Sequence, residues 1–173
     1  YERADDWKRL IELSDERLQL ASDVTEKTAI LREVADLWER RGGDARRAFE
    51  AIRRAWLLDP ESIELRGEAD RLAGQLGDWD GLVAAYELAA DLVDEVTRPD
   101  LLRGLADLHD SRRDDPRAAL ATLQRLLRLD PEDLAVLERL DAFATLLGDW
   151  STLDAVLVRM AEVQSDAIEQ AGS

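Results

Sequence analysis

Few side chains in this sequence are of the types that carry catalysis. His109 is the only histidine, and there is no cysteine. The absence of cysteine excludes disulfides, zinc–thiolate sites, iron–sulfur clusters and cysteine nucleophiles from this chain. A single imidazole could act in catalysis or bind a metal only with partners at defined geometry. We therefore interpret His109 as an aromatic packing or rim position on a helix.

Carboxylates are concentrated at Asp107, Asp110, Asp114 and Asp115. A calcium-binding loop alternates its ligands and places a glycine among them, and this cluster does neither. We interpret it as a solvated helix face with a helix cap. The sequence also contains no glycine-rich phosphate loop, nucleophile elbow or His-Glu metal motif. It therefore predicts no catalytic residue, no metal site and no cofactor, and we expect that the chain is not an enzyme.

The five tryptophans are the remaining residues that could stack on a ligand such as a sugar. Trp7, Trp79 and Trp150 recur at nearly constant spacing. That regularity favours packing between consecutive pairs of helices over ligand binding. Trp56 is also interpreted as core, because its counterpart one repeat later is Leu127.

The charge of the chain limits the classes of partner. With 39 acidic against 23 basic side chains, the net charge is -16. Such a field repels phosphate backbones and anionic lipid surfaces, so nucleic acid is not expected as a partner. No apolar run approaches the roughly 20 residues that span a bilayer, and the first residues do not form a signal sequence. Membrane insertion is therefore not expected, and the cytoplasm is favoured, although the lack of cysteine suits either side of a membrane.

The chain repeats itself at a shift of 71 residues. The shift superposes Asp-Pro-Glu at 59–61 on 130–132 and Gly-Asp-Trp at 77–79 on 148–150. Internal repeats of some tens of residues are typical of solenoids, and each unit here divides again into two pieces about one helix hairpin long. Apolar residues within the pieces recur at helical spacing, and no segment alternates apolar and polar residues as a strand does.

This periodicity predicts nine helices. All connections between them are short, so helices adjacent in sequence should be antiparallel neighbours. The predicted helices lie near residues 5–21, 25–41, 44–58, 60–76, 78–94, 98–113, 116–129, 131–147 and 149–167.

Aspartate followed by proline marks three predicted helix starts. The aspartate caps free backbone N–H groups, and proline is tolerated in the first turn because its missing donor has no role there. Thr97 and Asp100 are predicted to form a capping box, and glycines are predicted to end helices. The Asp-Pro pairs are at 59–60, 115–116 and 130–131, and the glycines are at 42, 43, 77 and 148.

The repeated unit resembles the tetratricopeptide repeat. Ala48, Ile52, Ala55 and Pro60 fall at the spacings of that family's second-helix signature, and residues 77–79 match its Gly-Asp-aromatic turn. The first helices match when one residue is inserted before the turn. The chain is therefore similar to a divergent bacterial type of this family in which two hairpins form a 71-residue repeat.

The resemblance implies an all-α fold, an α-solenoid of about nine antiparallel helices wound as a right-handed superhelix. We expect one solenoid segment over residues 1–173, with an unpaired second-type helix at 5–21. Because the array both begins and ends with a helix of the second type, we expect a fragment of a longer protein. The hairpin units are expected at approximately 25–60, 61–96, 97–131 and 132–167.

Stacked hairpins of this kind present a concave groove lined by their first helices. We expect a scaffold or adaptor that holds a peptide or helix of a partner protein there, and the acidic surroundings favour a basic partner. One alternative is a structural spacer that self-associates through its open ends in a large assembly. Another is the regulatory array of an enzyme outside this segment. The residues expected in the groove are Arg32, Asp36, Glu39, Arg66, Asp70, Arg103, Asp107, Asp110 and Asp141.

Overall fold

The computed structural model describes residues 6–171, and every regular element in that range is helical. The all-α prediction is confirmed. The second α-helix continues into a π-helical turn at Trp38–Gly42. The α-helices of the described range are α1 (Asp6–Leu20), α2 (Val24–Leu37), α3 (Ala45–Leu58), α4 (Ile63–Leu76), α5 (Trp79–Leu92), α6 (Arg98–Ser111), α7 (Pro116–Leu129), α8 (Leu134–Leu147) and α9 (Trp150–Ala171).

The helices form two compact units that divide between Val93 and Asp94. In the first unit, α2 packs against α1 and α3, α3 packs against α4, and α5 contacts both α3 and α4. In the second unit, α6 packs against α7, α7 against α8, and α8 against α9. Each helix thus buries its apolar side mainly against the helices next to it in sequence.

Short polar side chains begin most of these helices. Each accepts a hydrogen bond from the backbone N–H three residues further on, which has no partner inside the helix. Asp115 accepts from the N–H of Ala118 at 3.0 Å, with Pro116 in the first turn, as predicted. The other caps of this kind are Asp23, Asp44, Ser62, Asp78, Asp133 and Asp149.

The predicted starts at Asp59 and Asp130 are wrong by three residues. The N–H of Asp59 donates to the carbonyls of Ala55 and Trp56, so Asp59 ends α3. The N–H of Ser62 then donates to the carbonyl of Asp59 at 3.1 Å, which closes a turn around Pro60 before α4 begins. The second unit repeats this arrangement: Asp130 ends α7, and Asp133 caps α8.

The predicted capping box at Thr97 is also wrong. Thr97 makes no side-chain cap hydrogen bond at the start of α6. Asp94 accepts these backbone hydrogen bonds instead. It lies before the helix, and its Oδ1 accepts from the N–H groups of Val96 and Thr97 at 3.1 and 2.9 Å. These bonds to Thr97 and Val96 lower the pKa of Asp94.

Glycine ends three helical segments at the predicted positions 43, 77 and 148, each with a positive φ. At Gly77 and Gly148 φ is 66°, a left-handed conformation that costs glycine little. Gly42 is different, because it lies inside the π-helical turn. A Cβ at Gly42 would lie 2.8 Å from Cε3 of Trp38, so the close approach of that ring requires glycine there.

The tryptophans do not share one environment. Trp56 is fully buried, packs edge-on against Tyr86 with ring centroids 5.0 Å apart, and donates from Nε1 to the carbonyl of Pro60. Trp7 and Trp79 are half-buried, and Trp7 packs edge-on against Trp38. Trp150 is 69% exposed. The prediction of core tryptophans is therefore confirmed for Trp56 and wrong for Trp150.

We expect Trp56→Ala to lower the free energy of unfolding by about 3–5 kcal/mol, because it removes a fully buried ring and leaves a cavity. Trp150→Ala is the matched control, and its loss should stay below about 1 kcal/mol because that ring is already in water. Urea unfolding followed by circular dichroism measures both values. Equal losses from the two variants would contradict the burial described for these rings.

Candidate functional site

A basin of about 600 Å³ opens between α2 and α4 in the first unit. Its floor is apolar and consists of the buried side chains Ala35, Ile52 and Leu72. We call it the α2–α4 basin. Charged side chains form its rim, and they are Arg32, Asp36, Glu39, Arg40, Glu68 and Arg71.

The rim residues come from the polar faces of two helices. Arg32 and Asp36 on α2 and Glu39 in the π-helical turn that continues it are spaced four and three residues apart, which places them on one side of the helix. On α4, Glu68 and Arg71 have the same relation. The apolar faces of both helices are buried against α3, so the polar faces are left to line the basin.

Ion pairs connect the two helices across the basin. The guanidinium of Arg71 forms two parallel bonds to the Glu39 carboxylate, at 2.7 and 2.8 Å. From α2, Arg32 donates to Glu68 at 2.6 Å and to Glu64 at 3.4 Å. Two-point contacts of this kind fix orientation as well as distance.

A third pair joins α2 to the π-helical turn that follows it, where Nε of Arg40 is 2.6 Å from Oδ1 of Asp36. The rim thus carries three guanidinium groups and three carboxylates, each within reach of an opposite charge. All six side chains are at least partly exposed to water.

The pair between Arg71 and Glu39 keeps both groups charged. The hydrogen bonds from Arg71 lower the pKa of Glu39, and the bonds to Glu39 raise the pKa of Arg71. Because water reaches both groups, we expect each such pair to contribute only about 0.2–1 kcal/mol. A charged ligand could therefore replace one of these partners at little cost.

Three of the residues predicted for a groove are brought together here: Arg32, Asp36 and Glu39. The two predicted residues of α4 are not. Asp70 lies against α5, where the hydroxyl of Tyr86 donates to its Oδ2 at 3.2 Å, and Arg66 acts on the Asp70 carboxylate from the same side of α4. The α4 residues that do line the basin, Glu68 and Arg71, could have been recognised because their charges complement those of Arg32 and Glu39.

The other predicted residues lie in the second unit, where α6 and α8 are also joined by ion pairs. Arg103 donates to Asp133 at 2.8 Å, and Arg139 lies 2.8 Å from Asp107. Arg139 occupies the place of Glu68 one repeat later and pairs with Asp107, the counterpart of Asp36, while Arg103 pairs with Asp133. Of the two remaining residues, Asp110 is exposed on α6 and Asp141 is half-buried on α8.

The sole histidine is a buried side chain of α6. Its Nδ1 lies 3.2 Å from Nη1 of Arg113 and must accept this bond, because a guanidinium only donates. The packing interpretation of His109 is confirmed. Over residues 6–171, no three carboxylate or imidazole groups are placed so that they could hold a metal ion. No helix in that part of the chain is long and apolar enough to cross a membrane.

The fold is similar to solved structures of MamA, an all-helical tetratricopeptide-like protein. One crystal structure of MamA is 13% identical with a TM-score of 0.51, and the match covers 99% of this chain and 95% of that one. A second MamA crystal structure is 12% identical with a TM-score of 0.50, covering 97% of this chain and 95% of that one. The predicted tetratricopeptide-like solenoid class is therefore confirmed. No protein-family model matches the chain, and no curated protein matches it in sequence.

The protonation of Asp70 should make the stability of the first unit depend on pH. Burial raises its pKa, against the effect of the Tyr86 hydrogen bond, and its Oδ1 has no hydrogen-bond partner. The folded state therefore binds the proton more tightly than the unfolded state. The resulting stability is complete below the unfolded pKa and is lost as pH rises through the folded pKa. As pH rises from the unfolded pKa through the folded pKa of Asp70, the free energy of unfolding of the native protein should therefore fall relative to that of Asp70→Asn.

Urea unfolding of both proteins from about pH 3 to pH 7 measures the difference. Glu39→Gln is a control of opposite sign, because the folded pKa of Glu39 is lowered. The contribution of Glu39 to the free energy of unfolding should be present above its unfolded pKa and be lost as pH falls through its folded pKa. A difference between the native protein and Asp70→Asn that does not change with pH would contradict the burial effect.

Proposed function

We propose that the protein is an interaction scaffold that holds a peptide segment of a partner protein in the α2–α4 basin. One observation carries this proposal: an apolar floor lies between two rows of opposed, already oriented charges. The proposal assigns the chain no catalysis and requires no cofactor.

The floor suits an apolar side chain of the partner. Ala35, Ile52 and Leu72 belong to three different helices, so packing within the first unit holds their positions. Since these three residues are at most 4% exposed, the gain comes from the partner's own side chain, roughly 25 cal/mol for each Å² of its apolar surface removed from water. Because the floor is already formed, little ordering cost would offset that gain.

The rim suits a partner with basic residues. The net charge of -16 attracts cations from a distance and raises the rate of encounter. At the rim, a lysine or arginine of the partner can share the carboxylates of Glu39 and Glu68 with the resident guanidinium groups. The guanidinium groups of Arg32 and Arg71 can in turn donate to backbone carbonyls of the partner.

Selection of peptides from a displayed random library against the whole protein tests this proposal. We expect the selected sequences to combine an apolar residue with lysine or arginine nearby. In calorimetry, Glu68→Gln should weaken their binding about five- to tenfold, because one charge-assisted hydrogen bond is lost. Glu50→Gln on α3 is the matched control, since Glu50 also pairs with an arginine but lies outside the basin.

Equal affinities for Glu68→Gln and the native protein would place the peptide site away from the basin. Equal losses from Glu68→Gln and Glu50→Gln would mean that general electrostatic attraction, rather than this rim, holds the peptide.

A further inference from the structure

Four apolar side chains along one side of α9 are open to water. Trp150, Leu157, Ala161 and Ile168 lie at intervals of seven, four and seven residues, which places them along one side of the helix. Trp150, Leu157 and Ile168 are 69%, 50% and 73% exposed. Val156 is the buried residue of this helix, and it faces another direction. We call these four residues the α9 stripe.

Two positions of the stripe are equivalent to buried positions one repeat earlier. A shift of 71 residues aligns Leu157 with Tyr86 and Ala161 with Ala90, and both α5 residues are buried. Tyr86 is held by Trp56 on α3 and by Asp70 on α4. Helix α9 packs instead against α8, and Leu157 has neither the ring nor the hydroxyl that anchors Tyr86. Positions that form core in the first unit are therefore surface in the second.

The large side chains of the stripe are each at least half exposed to water. Val158, the next residue after Leu157 on the same helix, is also 62% exposed. Single exposed apolar residues are ordinary, but several large ones aligned on one side of a helix are typical of an interaction site.

The charges of α9 identify the kind of partner. The helix carries four carboxylates and a single basic residue, Arg159, which is occupied by Glu162 and by the carbonyl of Pro131. Asp154, Glu162 and Glu169 follow one side of the stripe. A second copy of α9 would bring carboxylates against carboxylates, which is unfavourable, whereas a helix with lysine or arginine beside its apolar face would be complementary.

We propose that the α9 stripe is a docking surface for an amphipathic helix of another protein, with apolar residues along one side and basic residues beside them. This surface is distinct from the α2–α4 basin and does not depend on it. The partner helix covers Trp150, Leu157 and Ile168 with its apolar face and pairs its cations with the acidic side of α9.

Two synthetic helices of about 18 residues, long enough to cover the stripe, provide the test. One carries leucine along one face and lysine elsewhere, and the other has glutamate in place of lysine. With the whole ¹⁵N-labelled protein, we expect the lysine helix to bind and to shift amide signals of α9. The glutamate helix should bind at least about tenfold more weakly.

Substitutions separate docking from general attraction between opposite charges. Leu157→Glu and Ile168→Glu make the protein more acidic, so general attraction would strengthen binding of the lysine helix, whereas loss of the stripe should weaken it about tenfold or more. Leu92→Glu on α5 is the matched control, because Leu92 is 59% exposed and the variant adds the same charge. It should not weaken binding.

Three results would overturn the proposal. They are tighter or unchanged binding of the lysine helix to Leu157→Glu, signal shifts that avoid α9, and equal binding of the glutamate helix. A dimer in sedimentation equilibrium that Leu157→Glu abolishes would assign the stripe to a second copy of the chain and also overturn it. Signal shifts on α2 and α4 would instead place the lysine helix in the basin, which no residue of the stripe lines.

Discussion

Burial of one apolar face between neighbouring helices is the constraint on which the rest of this structure depends. Most of its helices have 14 residues, a length at which an isolated helix is at best marginally stable in water. Each must therefore cover its apolar face with the helices beside it in sequence. Helix α3 illustrates the result, because Phe49, Ile52 and Trp56 are almost wholly buried between α2, α4 and α5. The side of each helix that faces away from these contacts is free to carry charge.

The basin follows from that arrangement. Helices α2 and α4 both pack on α3, so their polar faces lie opposite each other with Ile52 at the floor between them. Arginine and glutamate on the opposed faces then form pairs across the gap. These pairs contribute little stability because they are exposed, and that same weakness makes them exchangeable for the charges of a partner. Ion pairs also join α6 and α8 in the second unit, but different positions pair there, since Arg139 stands where Glu68 does and binds Asp107.

Helical periodicity and the 71-residue repeat were enough to predict the fold class and the glycines that end three helical segments. They could not decide whether an Asp-Pro pair ends one helix or begins the next, and at Asp59 and Asp130 the turn closes before the new helix starts. Periodicity also predicted Asp70 in the groove. That prediction failed because α5 packs on this side of α4, where Tyr86 donates a hydrogen bond to Asp70. The regular spacing of Trp7, Trp79 and Trp150 likewise records duplication, and burial depends on what packs over each ring.

We propose the α2–α4 basin as the surface that binds a peptide. A crystal structure of the protein with a selected peptide tests it most directly. We expect the peptide to lie between α2 and α4, with an apolar side chain on Ile52 and a basic side chain about 3 Å from the carboxylate of Glu39 or Glu68. A peptide bound elsewhere, with the pairs Arg32–Glu68 and Arg71–Glu39 unchanged and the basin open to water, would contradict it.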